Sequence, residues 1–285
     1  MSAPTHLAGV RLDLELSADR YTAVADALHR IAGIRLGPGK RALVVARLGP
    51  RVRATGAPGL DAYVDETLGG TDDTELSHFV DALTTNKSGF FREPAHFDHL
   101  RASVFPQLER TARPLRFWSA GCAAGEEPYT LAMVARDALS AGALARTRIL
   151  ATDISHRILA AAREARYSAT QRDGVPAAEL ARHFDVTPAA DGTRRVNDPT
   201  RDLVRFAWLN LVGDWPMRGT FDVILCRNVM IYFDRPTQER LVARLGSLLV
   251  AGGFLYVGHA ESLTGVPHAL EPVVPSVYRK PGADA

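Results

Sequence analysis

Apolar positions in the first third of the chain recur at helical spacing. Tyr21, Val24, Leu28 and Ile31 fall on one helical face, as do Ala42, Val45, Leu48 and Val52, with Gly49-Pro50 expected to interrupt the second helix. From about Pro114 the rhythm changes to short apolar runs alternating with longer amphipathic ones. Leu115–Ala120, Arg148–Thr152, Val204–Trp208, Phe221–Cys226, Phe254–Gly258 and Ser276–Arg279 read as strands. Helices are expected from Pro128 to about Leu139, from Ser155 (as N-cap) to about Ala165, and from Arg235 to about Val250, the last ended by Ala251-Gly252-Gly253. Strand and helix in alternation predict a doubly wound α/β domain with a mostly parallel sheet. The stretch from about 167 to 203 breaks the alternation. It carries Asp173-Gly174 and Asp191-Gly192 turns and no clear core helix after His183, which predicts an inserted, partly β subdomain.

Charge sharpens the first third. The whole chain of 285 residues has 34 basic and 32 acidic side chains, a net +2, which excludes a general polyanion binder and so a nucleic-acid partner. Between Ala27 and Leu60, however, Arg30, Arg35, Lys40, Arg41, Arg47, Arg51 and Arg53 stand without an acid. Between Asp61 and Asn86, Asp61, Asp65, Glu66, Asp72, Asp73, Glu75 and Asp81 stand without a base. On a helical wheel Lys40, Arg47 and Arg51 cluster opposite Val45 and Val52, giving either a solvated face or a docking face for an acidic partner. Cys122 and Cys226 are too few and too far apart for a disulfide framework and read as buried thiols. The segment Met1–His6 has no secretory pattern, and no apolar run reaches the ~18 residues a bilayer span needs, so the expectation is a cytoplasmic chain without membrane insertion.

The candidate chemistry begins where the first strand ends. In Ser119-Ala-Gly-Cys-Ala-Ala-Gly-Glu-Glu-Pro128, Gly121 and Gly125 let backbone approach a ligand at a helix N-terminus. Glu126 and Glu127 would repel a pyrophosphate and suit a ligand bearing an ammonium or sulfonium; the alternative is a helix start with acids that favour its dipole. Asp153, closing the second strand, stands where nucleoside-binding folds hold ribose hydroxyls, or it caps the next helix. Together these favour S-adenosylmethionine. His96 and His99, at i and i+3, lack a third ligand in the sequence, and no metal is expected.

Four runs resemble the chemotaxis receptor methyltransferase family, CheR: Leu83-Thr-Thr-Asn-Lys-Ser-Gly-Phe-Phe-Arg-Glu93, Trp118 through Tyr129, Cys226-Arg-Asn-Val-Met-Ile-Tyr-Phe-Asp234 and Gly258-His-Ala-Glu-Ser262. The resemblance implies a small all-α N-terminal domain at 1–82 that docks the receptor, a cofactor-covering linker at 83–113, and a methyltransferase domain at 114–285 with the inserted subdomain. It implies that Asn86, Ser88 and Arg92 cover the cofactor, with Arg92 on its methionine carboxylate. Glu127 would take its ammonium and Asp153 its ribose, Asn210 and Leu211 would read the adenine edge, and Asn228 and Val229 would line the site. Tyr232 would lie near the transferred methyl and is the catalytic candidate together with Arg92, which would act by positioning. Ser88 departs from the expected threonine but keeps the hydroxyl. The implied substrate is a glutamate carboxylate on the cytoplasmic helical bundle of a chemoreceptor, seated against Lys40, Arg47 and Arg51 by an enzyme acting as a monomer and leaving S-adenosylhomocysteine. Phe184–Thr193 holds a single glycine, Gly192, and a proline, Pro188, where pentapeptide-tethered members carry a glycine-patterned loop, so a tether is not expected. A non-catalytic adaptor of the same fold and a small-molecule O-methyltransferase are the competing readings.

Overall fold

A computed structural model describes residues 14–282, so Met1–His6 lies outside the described residues. The chain forms two compact units, one ending at Thr84 and the other beginning at Thr85.

The first unit is helical: α1 (Ala18–Ala32), α2 (Arg41–Thr55), α3 (Leu60–Gly69) and α4 (Asp73–Leu83). Ser17 caps α1 by accepting the Arg20 N–H, and Asp72 caps α4 by accepting those of Thr74 and Glu75. Val24 and Leu28 of α1, Val44, Leu48 and Val52 of α2, Tyr63 and Val64 of α3 and Phe79 of α4 are all buried, with α1 and α2 each packed on α3 and α4. Two expectations are corrected. Pro50 does not interrupt α2, because it sits on the exposed side, and the missing N–H leaves only a solvent-side rung of the ladder open. The helix therefore runs in one register, and Val44 joins Leu48 and Val52 at i, i+4, i+8 while Val45 is half-buried and Ala42 exposed.

The proposed basic face is also divided. Lys40 is exposed, whereas Arg47 donates to the carbonyls of Leu83 (2.7 Å) and Thr84 (3.1 Å) at the end of α4. Arg51 pairs with Glu75 (Nε–Oε1 3.0 Å), which also accepts the Tyr63 hydroxyl. Part of the charge segregation read along the chain is thus neutralised across adjacent helices.

The second unit opens with α5 (Pro94–His99), continued through a π-turn at Leu100–Val104 into α6 (Phe105–Glu109). Then follow β1 (Leu115–Ala120), α7 (Glu126–Ala138), α8 (Ala141–Ala145), β2 (Thr147–Asp153), α9 (His156–Glu164), β3 (Arg166–Tyr167), α10 (Ala177–His183), β4 (Arg194–Arg195), α11 (Asp198–Arg201), β5 (Val204–Trp208), β6 (Phe221–Cys226), α12 (Arg235–Leu248), β7 (Leu249–Val257), β8 (Glu271–Val274) and β9 (Val277–Arg279). One sheet of seven strands has the order β5-β2-β1-β6-β7-β9-β8, parallel from β5 to β7 with β9 antiparallel to β7 and to β8. The α/β class, the parallel strands and the inserted β element agree with the sequence reading. β8 escaped it because every residue of this edge strand is exposed, so no apolar alternation marks it. In the insertion β3 pairs antiparallel with β4, and Phe90, Tyr167 and Phe184 meet edge-on with centroids 4.8 and 5.5 Å apart. The chain leaves β1 toward β2 on one side and passes from β6 to β7 on the other. The crevice beyond the carboxyl ends of β1 and β6 is therefore the topological switch point, where such sheets bind ligands.

Candidate active site

The turn after β1 is fixed by its backbone. Gly121 and Gly125 have φ of +82° and +96°, and a Cβ on them would lie 2.5 Å from Val229 Cγ2 and 2.8 Å from the Tyr167 hydroxyl oxygen, respectively. The N–H groups of Gly121 and Cys122 donate to the Thr152 carbonyl at 2.8 and 2.9 Å, hooking the turn onto the end of β2. Ala123 is held at φ +48° with its N–H donating to Asp153 Oδ2 at 2.9 Å. Asp153 Oδ1 accepts the Ser155 N–H at 3.0 Å. Ser155, not Asp153, caps α9, by accepting the Ile158 N–H at 3.1 Å. Asp153 is thus a buried carboxylate that shapes the glycine turn.

Beside the turn lies a charged bridge that the sequence reading did not assign. Arg227, at the end of β6, has a side chain only 2% exposed. It donates to Glu127 Oε2 (3.1 Å), to Glu93 Oε2 (3.0 and 3.3 Å) and to the Arg92 carbonyl. Glu127 Oε1 accepts the Ser119 hydroxyl at 2.6 Å, and Glu93 Oε1 accepts Asn228 Nδ2 (3.3 Å) and the His259 N–H (3.2 Å). A further buried carboxylate, Glu261, accepts the N–H groups of Asn228 (2.6 Å), Gly258 (2.7 Å) and Ile231 (3.2 Å), gathering the turns after β6 and β7. Phe91, Glu93 and Asn228 all hold φ between +50° and +59°, so non-glycine strain concentrates here. Burial pushes Glu127 above the ordinary carboxylate range, outweighing Arg227 and Ser119. Glu93 is raised by burial too, but the charge of Arg227 and the bond from His259 outweigh it and hold the carboxyl below its usual value. Two carboxylates and one guanidinium leave this bridge with a formal excess of negative charge. Glu126, next to it at the start of α7, is buried with Oε2 lacking a hydrogen-bond partner among the described residues.

The other expected residues distribute unevenly. Asn228 and Val229 join the bridge and the glycine turn directly. Asn210 is half-buried, with Oδ1 accepting the Val212 N–H (3.1 Å); it follows Leu209, whose N–H donates to the Asp153 carbonyl (3.0 Å). Leu211 is buried and its carbonyl accepts Arg244. Asn86 and Ser88 are half-buried, and Arg92 is exposed with Nη1 on the Lys87 carbonyl (3.3 Å). Tyr232 closes the 3-10 turn Met230–Tyr232, half-buried, with a hydroxyl that meets no protein partner among the described residues. Lys40, Arg47 and Arg51 belong to the other unit. Arg227, Glu93, Glu261 and Ser119 were missed, although each lies within or beside a motif quoted from the sequence. A buried carboxylate's need for partners appears only when distant motifs converge.

His96 and His99 do not act as a pair: His99 Nδ1 bonds the Tyr256 hydroxyl (2.8 Å), while His96 faces Glu93 and His259. Glu93 and His259 place ligand atoms within 4.8 Å of His96, but both Glu93 oxygens are already taken by donors. The His96 ring is 1% exposed with neither nitrogen hydrogen-bonded, and burial lowers it to about 4. A histidine whose folded value lies below its unfolded one stabilises the native state only above the unfolded value. Native stability is therefore expected to fall as pH drops from about 6.5 toward about 4. His96→Phe should keep the packing and flatten that fall in urea titrations at several pH values; an unchanged slope would remove His96 as its source.

Residues 86–278 match the family described as "CheR methyltransferase, SAM binding domain", and residues 19–84 match "CheR methyltransferase, all-alpha domain". A probable chemotaxis protein methyltransferase of Rhizobium etli is 38% identical, over 88% of this chain and 96% of the relative. Chemotaxis protein methyltransferase 2 of Pseudomonas aeruginosa is 37% identical, over 93% and 94%. The chemotaxis protein methyltransferase of Escherichia coli is 35% identical, over 88% and 87%. No helix among the described residues is long and apolar enough to cross a membrane.

Proposed function

This chain belongs to the CheR methyltransferase family, and on that premise we propose that it esterifies glutamate side chains of chemoreceptors with the methyl group of S-adenosylmethionine. The observation that carries the reading is the Glu93–Arg227–Glu127 bridge at the switch point, adjoining Asp153 through the glycine turn. The donor set suits that cofactor: negative excess and the unpartnered Glu126 oxygen for its cationic groups, Asp153 for ribose hydroxyls, and the exposed Arg92 guanidinium for its carboxylate. Asn86 and Ser88 would cover it, Asn210 and Leu211 would meet its adenine, and Asn228, Val229 and Tyr232 would line the methyl's path. When bound, S-adenosylmethionine supplies an electrophilic methyl that a carboxylate oxygen can take by in-line displacement.

The chain's own task is then orientation and exclusion of water. A glutamate with a pKa of ~4.3 is already ionised near neutrality, so no general base is required. Arg227 keeps the Arg92 carbonyl and the Glu127 carboxylate in one frame, and Asp153 keeps the glycine turn in its left-handed shape. Such positioning can contribute ~7–11 kcal/mol to a well-aligned reaction. The test is transfer of labelled methyl to receptor membranes, read as base-labile ester. Label that stays absent with S-adenosylmethionine bound would favour the adaptor, and label on small acceptors alone would favour a small-molecule enzyme.

Receptor docking is assigned to the basic side of the helical unit, centred on the exposed Lys40 and Arg41. Reversing both to Glu should raise receptor KM several-fold and leave cofactor affinity unchanged. Arg47→Ala, which removes a cap on α4, should instead lower the Tm. Unmoved receptor kinetics in the charge reversal would end the docking assignment. The turn that bonds the Ala189 N–H to the Thr193 carbonyl carries one glycine, and receptor tail peptides are expected not to bind in a calorimeter.

A further inference from the structure

Outside the bridge and the glycine turn, His183 at the end of α10 meets Asp137 at the end of α7. Its Nε2 lies 3.2 Å from both Asp137 oxygens and 3.3 Å from Glu179 Oε2, and its side chain is 3% exposed. A chain of hydrogen bonds fixes which ring nitrogen carries the proton. Asn197 Nδ2 donates to the Arg182 carbonyl (2.7 Å), so Oδ1 is its acceptor end. That oxygen receives the Thr200 hydroxyl proton (2.8 Å). The Thr200 oxygen can then only accept from His183 Nδ1 (3.1 Å), which puts the neutral ring's proton on Nδ1 and a bare lone pair on Nε2. A lone pair facing carboxylate oxygens is repulsive unless a second proton on the ring or a metal cation lies between them.

The arginines that reach the two carboxylates do not fill that place. Arg182 reaches Asp137 Oδ1 (3.2 Å) and Glu179 Oε1 (3.7 Å), and Arg101 reaches Glu179 Oε1 (3.6 Å). Asp137 Oδ2 and Glu179 Oε2 are left turned to the imidazole, and Glu179 Oε2 has no hydrogen-bond partner among the described residues. Ligands about 2.0–2.1 Å from a tetrahedral zinc ion stand about 3.3 Å apart, the spacing found here between Nε2 and both oxygens. We propose that Asp137, Glu179 and His183 form a binding site for a divalent transition metal of the zinc type, with Thr200 as the outer partner that sets the histidine tautomer. One imidazole and two carboxylates favour zinc over magnesium or calcium, which prefer all-oxygen shells. The arginines, with side chains 55% and 33% exposed, sit at the rim, where water screens their charge more than that of the buried imidazole. The ion would fasten α10 of the insertion to the far end of α7, the helix whose first turn carries Glu127.

The experiment uses the full chain, stripped with a chelator and titrated with Co2+ and then Zn2+. Visible d–d absorption that saturates near one equivalent and is quenched by Zn2+ is expected, with a Tm raised by Zn2+. His183→Gln should abolish both effects. Thr200→Val, which removes the outer acceptor, should weaken binding by about 10–100-fold. If His183→Gln does not fold, Asp137→Asn takes its place. Absent Co2+ bands with a Tm indifferent to Zn2+ would mean that the cluster holds only a proton, and would overturn the proposal. So would binding that both variants leave untouched.

Discussion

Replacing Arg227 with methionine is expected to reduce methyl-transfer turnover by about 100-fold or more while leaving the apparent receptor KM within a few-fold of its normal value. The side chain is the junction of three motifs: it binds the carboxylate of Glu93, the carboxylate of Glu127 and the Arg92 carbonyl. Methionine matches much of its volume but supplies no donor, so the buried carboxylate of Glu127 and the half-buried one of Glu93 are left uncompensated. Removing one partner of a buried ion pair costs about 3–5 kcal/mol, and the cheapest relief is for the Arg92–Glu93 turn, with its left-handed residues, to move away. A shift of about 1 Å in a positioning group can cost about 100-fold in rate. Arg227→Lys should recover little, because one ammonium cannot span acceptors that a planar fork reaches together. Combining Arg227→Met with Glu93→Gln and Glu127→Gln separates stability from catalysis: Tm should return and turnover should not. Full turnover in the stable triple variant would show that the bridge serves folding alone.

Asp153→Ala is expected to weaken binding of S-adenosylmethionine or S-adenosylhomocysteine well over tenfold, a tenfold change being about 1.4 kcal/mol. The carboxylate does two jobs. It accepts the Ala123 and Ser155 N–H groups, each worth about 1–3 kcal/mol if left buried and unpaired, and so maintains the turn that the cofactor must approach. In the proposed complex it also meets the ribose hydroxyls. Asp153→Asn keeps one acceptor oxygen and should give an intermediate affinity with a smaller loss of Tm. Calorimetry with unchanged affinity in the Ala variant would remove Asp153 from the site.

Much of the fold was legible because parallel strands buried on both faces write continuous apolar runs, and Phe221–Cys226, buried at every residue, is the clearest case. The glycine turn was legible for a related reason: Gly121 and Gly125 occupy left-handed backbone that a Cβ would obstruct. What stayed hidden had no periodic signature. β8 is an exposed edge, and Pro50 looked like a helix breaker because the sequence does not say which side of α2 meets solvent.

The division between chain and fold is sharpest among the charges. The sequence alone determined the alternation of strand and helix, the carboxylate closing β2, the paired glutamates opening α7 and the segregation of charge in the helical unit. Which of those charges are committed to one another was decided only by tertiary structure. Arg51 is spent on Glu75, Arg47 on the end of α4, and Arg227 is drawn between two glutamates more than thirty residues apart. The physical reason is that a charge removed from water must find its partner in space, and covalent order does not encode who that partner is.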